Sequence, residues 1–530
     1  MRLLRRRDDA GFVLPAVVLS GLLLMLFLLV AMTGVLRAAS LGRLDQDGKI
    51  AMAAAQAGIE DYLSRLNSDQ DYWRRGNDDT SNPALAAAGR PIQGTAGGGG
   101  RYHYEVLSDV DETARTGVVR LLVTGTSSPG AGRQGAARSL SVTLKPRTFL
   151  DFAYLSDIEV IDPALTGSDP GCANYAYGPS SRLGRTCPTI EWQAGDRVDG
   201  PVHSNDALTL EGPVDFTDAR TESSWPDIEG APATATTWLG SATVLAGHRP
   251  VFAPGLPLPE ANTDLAKAVA PDVDGDGRTG PGCAYTGPTR IVFEGTTMRV
   301  FSPTTSRPDT PDSCLTVASR GVEQSKPIPP VIYVTPNADT CTDGDVGYPL
   351  PGEAVTAGAP GDSAWTGSTN YDCHRGTVYV QGTIDGQVTV AGADDVVVTG
   401  DLLLQDGGTG TDVAGLIAGN DVWVHHPLDA RGENLAGAPV VHTVQAAVLS
   451  LRHSFVVQHW DAGGALGALH VLGAIGQRLR GPVGSTDPDT GDVSGYVKDY
   501  RYDSRYQTVQ PPYFLKPAAN LWQVLSITDR

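Results

Sequence analysis

A chain of 530 residues with a formal net charge of −20 lacks the clustered Lys and Arg that phosphate binding needs, which argues against nucleic acid as a partner. Its 63 glycines and 37 prolines, set against 19% charged residues with no long charge runs or coiled-coil heptads, read as loop-rich β structure in two or three domains.

The chain opens with Arg2, Arg5, Arg6 and Arg7 and runs into an unbroken apolar stretch from Phe12 to Leu36. That stretch can cross the roughly 30 Å hydrocarbon core, and it exceeds the about 7 to 15 apolar residues of a removable secretory signal. A retained membrane helix follows, with its basic end cytoplasmic and everything beyond Arg37 exported. Gly11 stands at the junction of charged head and apolar run, where a peptidase at the cytoplasmic face could cut before Phe12. Beyond the span the helix is predicted to continue, with Met52, Ala55, Ile59, Tyr62, Leu63 and Leu66 on one face. Residues 101–110, 116–128 and 137–147 then alternate with period two and predict three strands.

The Gly11-Phe12 junction, the apolar segment and the Ala-rich AAAQAGIEDYL (Ala53 to Leu63) resemble type IV pilins, in particular minor pilins of the PilX type, over about residues 1–148. The resemblance implies a prepilin leader over 1–11, cleaved between Gly11 and Phe12 by a prepilin peptidase. It implies a transmembrane helix over 12–36 and an α+β module over 37–148 in which the long helix packs on an antiparallel meander. It further implies assembly with other pilins through the N-terminal helix, from a single-pass inner-membrane precursor to the cell surface or pilus. One residue departs from the family pattern. Most major pilins carry a glutamate at the fifth mature position, where it offsets the buried amino terminus of a neighbour; here Ala16 stands there. A subunit without it fits the repeating shaft poorly and the tip better, as in the largest minor pseudopilin of type II secretion systems.

Residues 149–530 are expected to form one large β-rich exported domain. Its six cysteines, Cys172, Cys187, Cys283, Cys314, Cys341 and Cys373, suit three disulfides in an oxidising compartment. Fifteen connectivities are possible, and nearness in sequence favours 172 with 187, 283 with 314 and 341 with 373. Asp272, Asp274 and Asp276 form the first half of a calcium-loop pattern, but Cys283 occupies the closing position, so a calcium site and a solvated acidic turn both remain open. From 376 to 424 short aliphatic pairs recur: Val378/Val380, Val388/Val390, Val396/Val398, Leu402/Leu404 and Val422/Val424. Strands this short, each closed by Gly, Asp or Asn, predict a β-solenoid, with a β-sandwich as the alternative.

The tail carries Gly495, Tyr496, Lys498, Tyr500, Tyr502, Asp503, Pro511, Pro512 and Phe514. It resembles the ending of bacterial envelope proteins that pair a pilin-like start with a β-helical domain, and is expected to cap the solenoid. No Gly-x-Ser-x-Gly elbow, His-Glu-x-x-His motif or P-loop occurs, so no enzyme is expected. His203, Asn205 and Asp206, and His425 with His426, read as turn ladders or solvated edges before active sites. Two functions are then in competition. One is a tip-located minor pilin or pseudopilin acting in assembly, adhesion or secretion, its β domain displayed to a surface or glycan. The other is an envelope-anchored glycan-binding or glycan-degrading protein outside any filament.

Overall fold

The computed structural model describes residues 13–69, 71–92, 99–110, 112–113, 117–128, 135–193, 195–225, 238–241, 246–275, 277, 279–355, 371–486, 491, 493–518 and 521–530. The chain divides into two compact units, Met1–Arg147 with Asn520–Arg530, and Thr148–Ala519.

In the smaller unit one helix spans Val13–Ser68, 56 residues long. Pro15 is tolerated in the first turn because amides there have no intrahelical acceptor. Leu14–Val35 are apolar with none of the span buried, whereas Ala51, Ala54, Ala55, Ile59, Tyr62 and Leu66 are buried. These lie three and four apart, so they make one stripe, and it packs on Tyr102, Tyr104, Leu121, Val123, Val142 and Leu144 of an antiparallel sheet. The packing is close enough to need glycine on both sides. A Cβ on Gly58 would stand 2.7 Å from Val123, and one on Gly125 would stand 2.1 Å from the Ala51 carbonyl oxygen.

Polar groups fix the helix to the loop beside it. Asp61 accepts from Arg65 (2.9 Å), Arg90 (2.8 Å) and the Tyr104 hydroxyl (3.0 Å). Asn82 in turn donates to the Tyr72 and Tyr104 hydroxyls.

The sheet runs Arg90–Pro91, Arg101–Val106, Val119–Thr126, Ala137–Pro146 and Trp522–Asp529, each strand antiparallel to the next. The three predicted strands are present with shorter ends. The fifth strand departs from the expected division, which assigned everything after 148 to the large domain. The chain leaves this sheet after Pro146 and re-enters it beside the same strand, with the Arg147 amide donating to the Leu521 carbonyl at 2.5 Å. The physical reason is the edge: without Trp522–Asp529, Ala137–Pro146 would present a row of unpaired amides and carbonyls. The large unit is thus inserted between two neighbouring strands of the small one.

The large unit is mostly β, a curled mixed sheet dominated by parallel pairing. One parallel ladder runs, in spatial order, through Val251–Phe252, Thr221–Ser223, Val202–Ser204, Tyr154–Ile158, the end of Ala465–Leu479, Ala447–Ser450, Val413–Ala418, Gln387–Gly392, Val331–Thr335, Gly282–Thr286 and Val269–Ala270. A second runs from Thr289–Gly295 through Val378–Ile384 and Val396–Leu404 to Val422–Val424 and Phe455–Val457. The aliphatic pairs stack like on like. Val378, Val396, Val422 and Phe455 share one column, and Val380, Val398, Val424 and Val457 the next, all buried. Parallel neighbours of this kind are not the antiparallel pairing of a β-sandwich.

Spatial order does not follow chain order. The first strands lead outward from Tyr154–Ile158 to Val251–Phe252; residues 253–268 then cross to the opposite end, and the rest winds back until Ala465–Leu479 pairs with Tyr154–Ile158. Asn205 holds the crossing by both donating to and accepting from the Leu256 backbone (2.9 and 2.6 Å), and Asn262 holds it by donating to the Gly392 carbonyl (2.6 Å).

The tail is not an end cap. Val493–Tyr502 pairs in parallel with Ala465–Leu479 on one side and Arg197–Asp199 on the other, so Tyr496 and Tyr500 belong to the core. Residues 503–518 lie along the flank, where Tyr506 reaches the Ala414 carbonyl and Phe514 packs against Gly415. At the Thr289–Gly295 end the second ladder finishes instead in two antiparallel strands, Thr297–Phe301 and Gln324–Pro327. Disulfides join Cys172 to Cys187, Cys283 to Cys314 and Cys341 to Cys373, each closing one loop of the large unit.

Candidate functional site

Gly11 and Phe12 lie outside the described residues, as does Asp276. Ala16 stands exposed on the first turns of the long helix. Asp272 accepts from the amides of Gly275 (2.9 Å) and Gly277 (2.7 Å), one on each carboxylate oxygen, so this turn is closed by its own backbone. Asp274 lies exposed beside it. Among the described residues, the groups tight enough to surround one ion are Cys341, Cys373 and His374, and Asp343, Asp372 and Cys373. The sulfurs of Cys341 and Cys373 are bonded to each other, which removes the thiolates a metal would need.

The polar clusters read from the sequence are buried, not solvated edges. His203 is fully buried, bonded to Glu222 (3.0 Å) and Asn205 (2.9 Å). Asp206 pairs with the buried Arg182 and accepts from the amides of Glu159 and Ala176. His425 is equally buried, its Nε2 3.6 Å from Glu353, while His426 bonds to the Gln458 carbonyl (3.0 Å) and to Asn434 (2.9 Å).

A larger charge cluster sits where the returning chain meets its own start. Arg480 bonds to Glu159 at 3.0 Å, both wholly buried, and its guanidinium lies 4.1 Å from the ring centre of Trp192. Arg478 bonds to Asp157 at 2.9 Å, and Asp157 also accepts from Tyr175 and Asn205. The two arginine bonds each tie residues 321 positions apart in sequence, and no local pattern announces them.

Beside that seam opens a cleft of about 170 Å³ lined by Asp162, Leu165, Arg375, Asp395, Asp421, Trp423 and His453. Repetition builds its floor. Asp395, Asp421 and Ser454 each precede the first residue of a stacked strand, Val396, Val422 and Phe455. Asp395 Oδ1 accepts from the Asp421 amide at 3.2 Å, and Asp421 Oδ1 from the Ser454 amide at 2.9 Å. Arg375 flanks one side, donating to Asp395 at 2.5 Å; on the other, Asp162 holds His453 Nδ1 at 2.5 Å.

Burial pushes the Asp421 carboxyl up to about 8, against the opposing pull of His453 and with the charge of Asp395 adding to it. Burial raises Asp395 as well, and the bond to Asp162 raises His453. A carboxyl raised above its unfolded value of about 3.9 holds a proton in the folded chain; the stability this contributes is complete below that value and is lost as pH rises through about 8. Asp421→Asn retains an acceptor for Ser454 and removes the titration. The variant is therefore expected to gain on the native chain by roughly 1.4 kcal/mol per pH unit across that window. Urea midpoints at pH 5, 7 and 9 check this, and parallel curves would refute it.

The sequence reading did not assemble this cleft, because Asp162 and His453 are 291 positions apart. The available signal was positional: Asp395 in GADDV and Asp421 in GNDV both stand just ahead of a Val-x-Val pair.

No family model and no curated protein matches the chain. Among solved structures, the crystal structure of the competence-associated pilin ComZ from Thermus thermophilus aligns with a TM-score of 0.28 and 14% identity, over 91% of this chain and 97% of that one.

Proposed function

We propose that this chain is a minor subunit of a type IV pilus or of a secretion pseudopilus, added at or near the filament tip, and that its large unit is a β-solenoid displayed as cargo. One observation carries the reading: a single helix is bare and apolar over Leu14–Val35 and then buried under an antiparallel sheet from Ala51 onward. An apolar rod fused rigidly to a head serves both as a membrane anchor and as a shaft element for packing against other pilins. Parallel columns of aliphatic pairs support the solenoid reading. Ala16 supports the tip position, since a chain without a carboxylate there leaves a neighbour's amino terminus unpaired in apolar surroundings. In this reading a prepilin peptidase cuts between Gly11 and Phe12, and the large unit works by display, toward a surface or a glycan, not by catalysis.

Mass spectrometry of the exported protein tests this. A mature chain beginning at Phe12 is expected, and filaments sheared from cells should contain it in trace amounts relative to the major subunit. An intact N-terminus together with absence from filaments would replace the proposal with a stationary envelope anchor.

A further inference from the structure

Val493–Tyr502 carries a lysine in a row of core side chains. Side chains alternate between the two faces of a strand, and Tyr496 and Tyr500 belong to the core, so the same period turns Lys498 inward between them. The strand is also incompletely paired there. Gly484–Thr486 pairs with Val493–Gly495 and the Tyr496 amide donates to the Val483 carbonyl, while the ladder with Arg197–Asp199 starts at Tyr500. Among the described residues no strand lies along this edge at Val497–Asp499, and a groove of about 310 Å³ opens at the gap. Lys498 lines it together with Glu191, Asp196, Trp460, Val483 and Val497.

The surroundings of this amine favour a nucleophile. Its side chain keeps 21% of its surface open, and its ion-pair partner Asp196 is 3.5 Å away, beyond the 2.7–3.2 Å of a full hydrogen bond. Arg480 and Lys498 share the ring of Trp192, at 4.1 and 5.4 Å from its centre, which gathers two positive charges on one indole. Burial, and after it the Arg480 charge, pull the Lys498 ammonium down to about 8, against the opposing pull of Asp196 and Glu159. At pH 7 roughly a tenth of such an amine is unprotonated, against well under a thousandth of an ordinary lysine near 10.4. The charges in the groove also select its visitor. A cation would meet Lys498, and an anion would meet Glu191 and Asp196. An uncharged carbonyl compound meets neither repulsion, and a volume at the floor of the roughly 300–1,000 Å³ of small-molecule sites suits one of about a single ring, against Trp460 and Val497.

We propose that Lys498 is a modification site, an amine that captures a small uncharged aldehyde from this groove as an imine. Nζ gives its electron pair to the carbonyl carbon, both amine protons leave with the carbonyl oxygen as water, and a C=N bond replaces C=O, so no oxidant or reductant enters. The cationic form of the adduct faces the Asp196 carboxylate, which offsets its charge. The modification is stoichiometric, one per chain, and is independent of whether the chain joins a filament.

The test incubates the full chain in a non-ionic detergent with benzaldehyde at pH 6 to 9, quenches with borohydride to fix any imine, and maps the benzyl groups by peptide mass spectrometry. At pH 7 the adduct on Lys498 is expected to exceed that on Lys49, Lys267, Lys326 or Lys516 at least tenfold, and to rise with pH along a curve centred near 8. Asp196→Asn deprives the ammonium of its counter-charge and is expected to move that midpoint lower, which a merely structural role for Asp196 would not do. Lys498→Gln should lose the adduct with its circular dichroism unchanged; should it fail to fold, the map of the native chain decides. Equal labelling of the lysines, no adduct on Lys498, a midpoint near 10, or an unmoved midpoint in Asp196→Asn would each overturn the proposal.

Discussion

Glu159→Ala is expected to destabilise the large unit by about 3–5 kcal/mol, because it strands the buried Arg480 guanidinium without its counter-charge. Arg480 would keep the Ile190 and Glu191 carbonyls, each at 3.3 Å, and the face of Trp192, none of which neutralises it. The loss falls at a sensitive place. Glu159 also accepts from the Tyr154 hydroxyl at 3.1 Å, and Tyr154–Ile158 is the strand on which the last part of Ala465–Leu479 closes. Urea unfolding followed by the fluorescence of Trp192 and its neighbours measures the effect. Replacing both partners, Glu159→Leu with Arg480→Met, should recover most of the lost stability, since an apolar pair of similar volume carries no desolvation penalty. If the double variant is no better than Glu159→Ala, the pair acts through geometry and not through charge compensation.

Gly125→Val is expected to undo the docking of the long helix on its sheet. The first added carbon would lie 2.1 Å from the Ala51 oxygen and 2.3 Å from the Ala55 nitrogen, both helix backbone that cannot rotate away. Either the helix lifts and exposes Ile59, Tyr62 and Leu66, or the strand Val119–Thr126 breaks register. Overpacking with backbone displacement exceeds the usual 1–3 kcal/mol and belongs with the severe class of point changes. Limited proteolysis should then cut between Ala51 and Ser68, where the native chain is expected to resist because that stripe is buried. Gly48→Ala is the control: its added carbon meets nothing within 4 Å, and helix propensity alone predicts a gain of up to about 1 kcal/mol. Equal protease resistance in Gly125→Val and Gly48→Ala would refute the close-approach argument.

The two units differ in how much of them can be read along the chain. In the small one, the apolar run, the stripe at Ile59, Tyr62 and Leu66 and the three alternating strands are local patterns, set by the periods of helix and strand. In the large one, the pairs at Val378/Val380, Val396/Val398 and Val422/Val424 already imply like-on-like columns, since each is a short local repeat. The cleft lies at the other extreme. Its Asp395 and Asp421 occupy repeat positions, but Asp162, Arg375 and His453 come from segments that only folding brings together.

By itself the sequence determined the membrane-length apolar run, the amphipathic continuation of the helix and the short-strand rhythm, because each depends on residues within a few turns or one strand of one another. Tertiary structure alone decided that Trp522–Asp529 completes the small sheet, that Ala465–Leu479 seals against Tyr154–Ile158, and that Arg480 finds Glu159. Pairings across hundreds of residues carry no period in the chain. They are selected by which strand edge would otherwise stay unpaired and which buried charge would otherwise stand alone, and both conditions exist only once the chain has closed on itself.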